Sequence, residues 1–148
     1  MRIKEGVVTF LFDEHELLEE VYKKSSYQAK NLTNEAGDFI GDGFILSPDE
    51  MELFRSFLNN VDGRIGSYFV KNGESCFLCY CMNCCEELCD IANKIDGCLK
   101  LMIVEGVLSE WYASCGHPDW AALFSQKFLA QEAVLKRFLF QLSKKVRE

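Results

Sequence analysis

The segment IANKIDGCLKLMIVEGVLSEWYASCGHPDWAALFSQKFLAQEAVLKRFLFQLSKKVRE, residues 91–148, decides the fold. Apolar residues recur in it with a helical period, and its one strong break is Gly116-His117-Pro118. Glycine is the usual left-handed stop after a helix, and proline is favoured in the first turn of the next one. The pattern predicts a helix from about Cys85 to Cys115, a second from Pro118 to about Lys145, and antiparallel packing between them.

Both helices of this predicted hairpin carry apolar residues at helical spacing. The first is apolar on almost every side, as expected of a helix at the centre of a domain. The seam that faces the second helix is predicted to contain Leu101, Val104, Leu108, Trp111 and Cys115. The inward stripe of the second helix is predicted to contain Phe124, Phe128, Leu135, Phe138 and Leu142, with Gln131 as a polar exception. We expect the Trp111 indole to be buried in the seam.

Upstream of the hairpin, the amino-terminal residues favour a strand followed by a helix. Residues 2–12 suit a short strand, and Asp13 with Glu16 matches the capping box that opens a helix. This helix is predicted to end near Asn31 and to turn these residues inward: Leu17, Leu18, Val21 and Tyr22. Residues 32–46 contain three glycines and predict a long loop, with a small hairpin around Asp42-Gly43.

The stretch Ser47-Pro48-Asp49-Glu50 predicts the start of another helix, because serine caps and proline suits the first helical position. The apolar stripe that follows comprises Met51, Phe54, Leu58, Val61 and Ile65. After the turn signal Lys71-Asn72-Gly73, residues 75–83 predict a strand. We therefore expect one domain over residues 1–148, with a mostly α, α-rich α+β fold. It would be a bundle of about four helices with one or two short strands and a long C-terminal helical hairpin.

Composition and charge exclude several classes of protein. The chain has 148 residues, 49% of them hydrophobic, which suits a globular domain with its own core. Its start does not match a signal peptide, and its apolar stretches, such as Leu101 to Val104, are far too short for a membrane span. The net charge of -7 argues against a nucleic-acid partner, although residues 127–148 are basic. We therefore expect a soluble protein.

Cysteine is the unusual residue of this chain: there are eight, and six lie in CFLCYCMNCCEELC, residues 76–89. The spacing of Cys76/Cys79 and Cys81/Cys84 matches paired zinc ligands. However, a single residue separates the two pairs, and in an extended segment Cys79 and Cys81 would face one side while Cys76 faces the other. The favoured hypothesis is that these are free thiols that fill the two faces of a covered strand. A zinc or thiol redox module is the alternative, and a disulfide framework is disfavoured by the absence of secretion signals.

No catalytic constellation is predicted. His15 is expected on the surface, and His117 is expected to cap or pack at the turn rather than to act on Cys115. The sequence contains no nucleophile elbow, phosphate-binding glycine loop or zinc-protease motif. We therefore expect no enzymatic activity, no cofactor and no small-molecule substrate.

The hairpin also resembles a family. Its features Leu108-Ser109-Glu110-Trp111, Gly116-His117-Pro118-Asp119 and Lys144-Lys145-Val146-Arg147 resemble the closing helices of small proteins encoded by prophages of gut bacteria. In that family a helix ends on leucine-x-glutamate/lysine-tryptophan, a short turn follows, and a second helix closes on basic residues. The likeness is to head-tail connector (neck) proteins, and the cysteine segment is not part of it. The resemblance implies a small helical structural protein that assembles with itself or with other virion proteins, and that is cytoplasmic in a bacterial host or virion-associated.

A candidate interface follows from large apolar residues where solvent exposure is expected. The loop 39–45 and the start of the last helix supply them, and such residues often mark interaction surfaces. The candidates are Phe39, Ile40, Phe44, Ile45 and Trp120. The competing expectation is that the loop folds back on the core.

Overall fold

The computed structural model describes residues 1–4, 6–69, 76–83 and 89–146. Within these ranges the elements are β1 (Arg2–Lys4), β2 (Val7–Leu11), α1 (Glu14–Ala29), α2 (Met51–Gly66), β3 (Cys79–Asn83), α3 (Cys89–Ser114) and α4 (Pro118–Val146). Short 3-10 turns occupy Gly41–Phe44 and Pro48–Glu50. The predicted α-rich α+β fold is confirmed. The predicted Lys71-Asn72-Gly73 turn and Arg147 lie outside the described residues, as do the side chains of Lys144 and Lys145.

The α3–α4 hairpin forms at the predicted break. Gly116 adopts φ +72°, and the chain closes with hydrogen bonds from His117 N–H to Tyr112 C=O (2.9 Å) and from Gly116 N–H to Ala113 C=O (3.3 Å). These two bonds are the Schellman pattern, which satisfies the last carbonyls of a helix and reverses the chain. Pro118 then starts α4.

The core lies around α3, as its apolar character predicts. Val104, Leu108 and Trp111 of the predicted seam are buried, whereas Leu101 is exposed and Cys115 is half-buried. The prediction for Leu101 was wrong: it shares a side of α3 with the buried Leu108, but at its level along the helix this side is exposed, as it is at Gly97 one turn earlier. On α4, the predicted stripe is buried apart from Phe138, which is half-buried.

Three short strands form one antiparallel sheet in the order β1-β2-β3. The predicted strand at residues 2–12 is a hairpin of two strands, in which Ile3 pairs with Val8. Val8 and Phe10 point into the core, and Phe10 pairs with the buried Tyr80 of β3. Because β2 is the middle strand, the amino terminus is joined to a segment far along the chain.

The two earlier helices begin close to the predicted residues, and their caps differ. Asp13 accepts the N–H groups of His15 and Glu16, which confirms the predicted cap of α1. Tyr22, predicted to face inward, is 43% exposed. Ser47 makes no side-chain capping bond; a 3-10 turn begins at Pro48 and α2 follows from Met51. The α2 stripe is buried as predicted, except that Met51 is only partly covered.

The loop 32–46 folds onto the helices. Its bridge joins Thr33 to Phe39, so the hairpin predicted around Asp42-Gly43 was wrong; those two residues lie in the 3-10 turn. The Trp111 indole N–H donates to the Phe44 carbonyl (2.8 Å), and the buried Ser25 hydroxyl accepts the N–H of Leu46 (3.1 Å). These bonds connect the loop to α3 and α1.

Candidate functional site

The cysteine segment forms a tight turn rather than a long strand. Cys76 and Cys79 form an antiparallel bridge, and Cys79 N–H donates to Cys76 C=O at 3.0 Å. The prediction that residues 75–83 form one strand, with Cys76 on the opposite side, was wrong. Leu78 adopts φ +56°, which reverses the chain and returns Cys76 to a position beside Cys79.

Three contacts hold Leu78 in this left-handed conformation, which costs an L-residue about 1–2 kcal/mol. Its N–H donates to Asp62 Oδ1 on α2 (2.9 Å), and its carbonyl accepts the Phe12 N–H (3.1 Å). Its side chain is buried in the core. Tyr80 O–H donates to the same Asp62 oxygen (2.6 Å), so one carboxylate fixes both the turn and β3.

The thiols of this segment face the less covered side of the sheet. Cys79 and Cys81 are half-buried and Cys76 is exposed, so the hypothesis that they fill a covered strand was wrong for Cys76. Thr9 Oγ1 lies 3.5 Å from Cys81 Sγ across the strands. Burial, then the hydrogen bond with the Cys76 thiol, raises the pKa of Cys79 to about 12. By contrast, Cys98 on α3 is a buried filler of the kind predicted, and its thiol donates to the Gln131 carbonyl at 3.1 Å.

The predicted metal candidates were Cys76, Cys79, Cys81 and Cys84, and Cys84 lies outside the described residues. Among residues 1–4, 6–69, 76–83 and 89–146, no group of three or more His, Cys, Asp or Glu side chains is arranged to hold a metal ion. A zinc site that includes Cys84 therefore stays a prediction.

His117 both caps and packs, as predicted. Its Nδ1 accepts the Trp120 N–H (3.2 Å), and its ring stacks on Trp120 with centroids 3.9 Å apart. The Cys115 thiol is directed to the Gly43 carbonyl at 3.7 Å. Burial raises the pKa of Cys115, which disfavours a thiolate. The two side chains are engaged with different partners.

The five predicted interface residues divide into two sets. Phe39 and Ile40 are exposed, whereas Phe44, Ile45 and Trp120 are half-buried. Trp120 was expected to be exposed, but its ring packs against Phe44, His117 and Tyr112. Each of the two competing expectations therefore holds for part of the loop. Phe44 packs on the core, whereas Phe39 and Ile40 are exposed on the surface.

One feature that sequence periodicity missed is a set of exposed apolar residues on the outward side of α4. Leu129 is 49% exposed and Phe140 is 70% exposed, and Leu123 is also exposed. These positions do not belong to the predicted inward stripe, so a pattern search for the core passes over them.

A second missed feature is a basic cleft between α1 and α4, of about 440 Å³. It is lined by Lys23, Lys24, Tyr27, Gln28, Phe124 and Lys127. Lys127 Nζ lies 4.8 Å from the centroid of the Phe124 ring, so a cation and an aromatic surface occur together there. No local sequence pattern indicates this cleft, because its lysines come from helices about 100 residues apart in an acidic chain.

Among the helices described, none combines the length and apolar character that crossing a membrane requires. Comparisons with protein-family models, with curated proteins and with solved structures gave no significant match.

Proposed function

We propose that the protein is a non-enzymatic assembly subunit of a phage or prophage-like element, of the head-tail connector class. The observation that supports this proposal best is the outward face of α4. A helix on the surface of a monomer normally presents polar residues to water, whereas this one exposes Leu129 and Phe140 among its charged residues.

The exposed face of α4 combines bulky and small residues. Leu123, Leu129 and Phe140 are exposed, and Ala130 and Ala133, which lie between the last two, are exposed as well. Leu129, Ala133 and Phe140 share one side of the helix, and from residue 129 to 140 the helix rises about 17 Å, which is long enough for a helix contact. Alanines allow the backbone of a neighbouring helix to come close, and the large side chains supply apolar area to bury.

The loop carries a different apolar surface. Phe39 is 48% exposed and Ile40 is exposed beside it. A subunit with two unlike surfaces can bind one neighbour through the first and another through the second, which is the head-to-tail contact that builds rings. Ring formation by repeated copies is the role that the resemblance of the α3–α4 hairpin implies, and the confirmed hairpin is consistent with it.

The test is self-association measured by sedimentation velocity over a range of protein concentrations. We expect wild-type protein to form oligomers and Phe140→Asp to shift them towards monomer, because the charge would be buried in the contact. Tyr27→Asp is the matched control, since Tyr27 is an aromatic residue on α1 that is also 70% exposed. It should assemble like the wild type.

A second arm covers subunits that assemble only on a template. The protein would be co-expressed with a portal protein encoded near its gene and purified through the portal. A wild-type chain that stays monomeric alone and does not bind the portal would overturn the proposal. Equal association of the Phe140→Asp and wild-type proteins would exclude α4 as the contact.

The alternative is a cysteine-based module, either zinc-binding or thiol redox. The observation that favours it is the approach of Cys76 to Cys79 in the turn. Metal analysis of the purified protein separates the two forms, because a zinc module would hold about one zinc ion per chain.

A further inference from the structure

We propose that Cys76 and Cys79 form a reversible dithiol–disulfide pair that exchanges with low-molecular-weight disulfides such as oxidised glutathione. The two cysteines lie opposite each other in an antiparallel bridge. Paired residues in such a bridge have Cα atoms about 4.5–5.5 Å apart, and disulfides span about 4.4–6.8 Å. The two backbones therefore already stand at a distance that a disulfide requires.

The turn is held in this shape by groups outside it. Asp62 and Phe12 bind the backbone of Leu78, and the Leu78 side chain is buried. A non-glycine residue with positive φ persists only where its surroundings enforce it, and such residues concentrate at functional sites. The thiols are consequently placed by α2 and by the residue that follows β2, and need not find each other by random motion.

The two thiols differ in a way that assigns their order of reaction. Cys76 is exposed, so it can meet a disulfide from solution. Burial and the hydrogen bond with Cys76 raise the pKa of Cys79 to about 12, so Cys79 is almost entirely a thiol at neutral pH. Because Cys76 is exposed and Cys79 is half-buried, Cys76 attacks first and Cys79 resolves. The hydrogen bond with the Cys76 thiol and the charge of its thiolate, which both raise the Cys79 pKa, are lost once Cys76 is in a mixed disulfide.

A groove beside Cys76 provides room for the incoming compound. It has a volume of about 440 Å³ and is lined by residues that include Asn59, Asp62, Gly63, Ser67, Cys76 and Phe77. Polar groups from α2 and the Phe77 ring together suit a small peptide-like thiol better than a purely apolar ligand.

The exchange takes place in two steps. The Cys76 thiolate attacks one sulfur of the disulfide RSSR, the S–S bond breaks, and RS⁻ leaves and takes a proton from water. Cys79 then gives its proton to water and attacks Cys76 Sγ, and the second RS⁻ leaves as RSH. Two protein thiols are oxidised and one RSSR is reduced to two RSH. This site is independent of the proposed assembly surface on α4, so the failure of one proposal leaves the other standing.

The experiment exposes the reduced protein to oxidised glutathione, quenches with acid, labels free thiols with N-ethylmaleimide, and counts labels by intact mass. The wild-type count should fall by two from eight, and fragmentation should locate the bond between residues 76 and 79. Cys81→Ser is the matched control, because Cys81 is next to Cys79 on the same strand face, and it should still lose two thiols.

Single variants test the order of reaction. Cys79→Ser should stop at a glutathione adduct on Cys76, formed at least about tenfold faster than the adduct on Cys79 in Cys76→Ser. Circular dichroism would verify that each variant is folded. The proposal is overturned if the wild type forms no 76–79 bond, or if Cys76→Ser loses two thiols as the wild type does. Wild-type thiols that react only after a chelator is added would also overturn it, in favour of a metal site.

Discussion

Glu105 is a carboxylic acid in buried surroundings that disfavour its charged form. It lies on α3 and is only 7% exposed, and its Oε2 has no hydrogen-bond partner among the described residues. Burial raises the pKa of this carboxyl, while the charges of Lys24 and Lys127 oppose the shift. The folded protein therefore holds a proton on Glu105 at pH values where the unfolded chain has lost it. Its contribution to stability is present below the unfolded pKa and is lost as pH rises through the folded one.

Glu105→Gln should remove this pH dependence. We expect the variant to unfold at about the same urea concentration as the wild type near pH 4, and to be the more stable of the two near pH 7, since no buried charge forms. Urea denaturation followed by circular dichroism at both pH values measures the difference. Glu35→Gln, at an exposed loop position, is the control and should follow the wild type at both. The same change at both pH values in Glu105→Gln would show that the residue ionises freely in the fold.

The burial of most core residues was predictable from sequence, with exceptions such as Leu101 and Tyr22, but their partners were not. Helical spacing placed Trp111 in the core, and it is buried. Its hydrogen bond to the Phe44 carbonyl joins positions 67 residues apart, and no local pattern carries that information. The same holds for Asp62, an ordinary polar residue in the sequence of α2, which fixes the cysteine turn through Leu78. The candidate redox pair was visible as a spacing, yet its geometry depended on this distant carboxylate.

At the scale of elements, Gly106 determines how closely three helices pack. A Cβ at this position of α3 would lie 2.8 Å from a methyl group of Val61 on α2 and 3.1 Å from the Phe128 ring on α4. Gly97, on the same helix, has no such neighbour within 4 Å. The absence of a side chain at Gly106 thus lets both neighbouring helices approach α3.

Alanine at the two glycines should have opposite effects. Gly97→Ala should stabilise by about 0.5–1 kcal/mol, because alanine loses less conformational entropy in a helix. Gly106→Ala gains the same propensity, but overpacking costs about 1–3 kcal/mol, so we expect a net loss. Thermal unfolding of both variants would measure the signs. Stabilisation by both changes would mean that α2 and α4 can move apart without penalty.

Helices were predicted more accurately than strands, for physical reasons. A helix repeats one local conformation, and its ends carry recognisable residues, such as the capping Asp13 before α1 and Gly116 after α3. The segment from Cys76 to Asn83 contains no glycine or proline, so its sequence did not predict a turn. Leu78 adopts the left-handed conformation only because tertiary contacts impose it. The exposed apolar residues of α4 were not predicted, because helical periodicity identifies the buried stripe of a helix and not the apolar residues outside it.

For the molecule as a whole, the loop 32–46 connects helices that are distant in sequence. Ser25 of α1 and Trp111 of α3 each bind its backbone, and Phe44 packs on Trp120 of α4. The sequence predicted a long loop but could not tell whether it lay on the core or in solvent. In the structure, Phe44 packs against His117 and Trp120, whereas Phe39 is exposed.

The pairing of β2 with β3 has a consequence for the order in which the chain folds. Thr9 and Cys81 meet across these strands although they are 72 positions apart, whereas α3 and α4 are joined by a short turn. Closing a long loop costs entropy before any contact repays it, so the hairpin is expected to form early and the sheet late. In stopped-flow measurements, Leu135→Ala on α4 should mainly slow refolding and Val8→Ala on β2 should mainly speed unfolding. Equal slowing of refolding by both would contradict this order. If the order holds, the thiols of the cysteine turn stay accessible in the half-folded chain until the amino terminus docks, and oxidation of the newly made chain would have its widest opportunity in that interval.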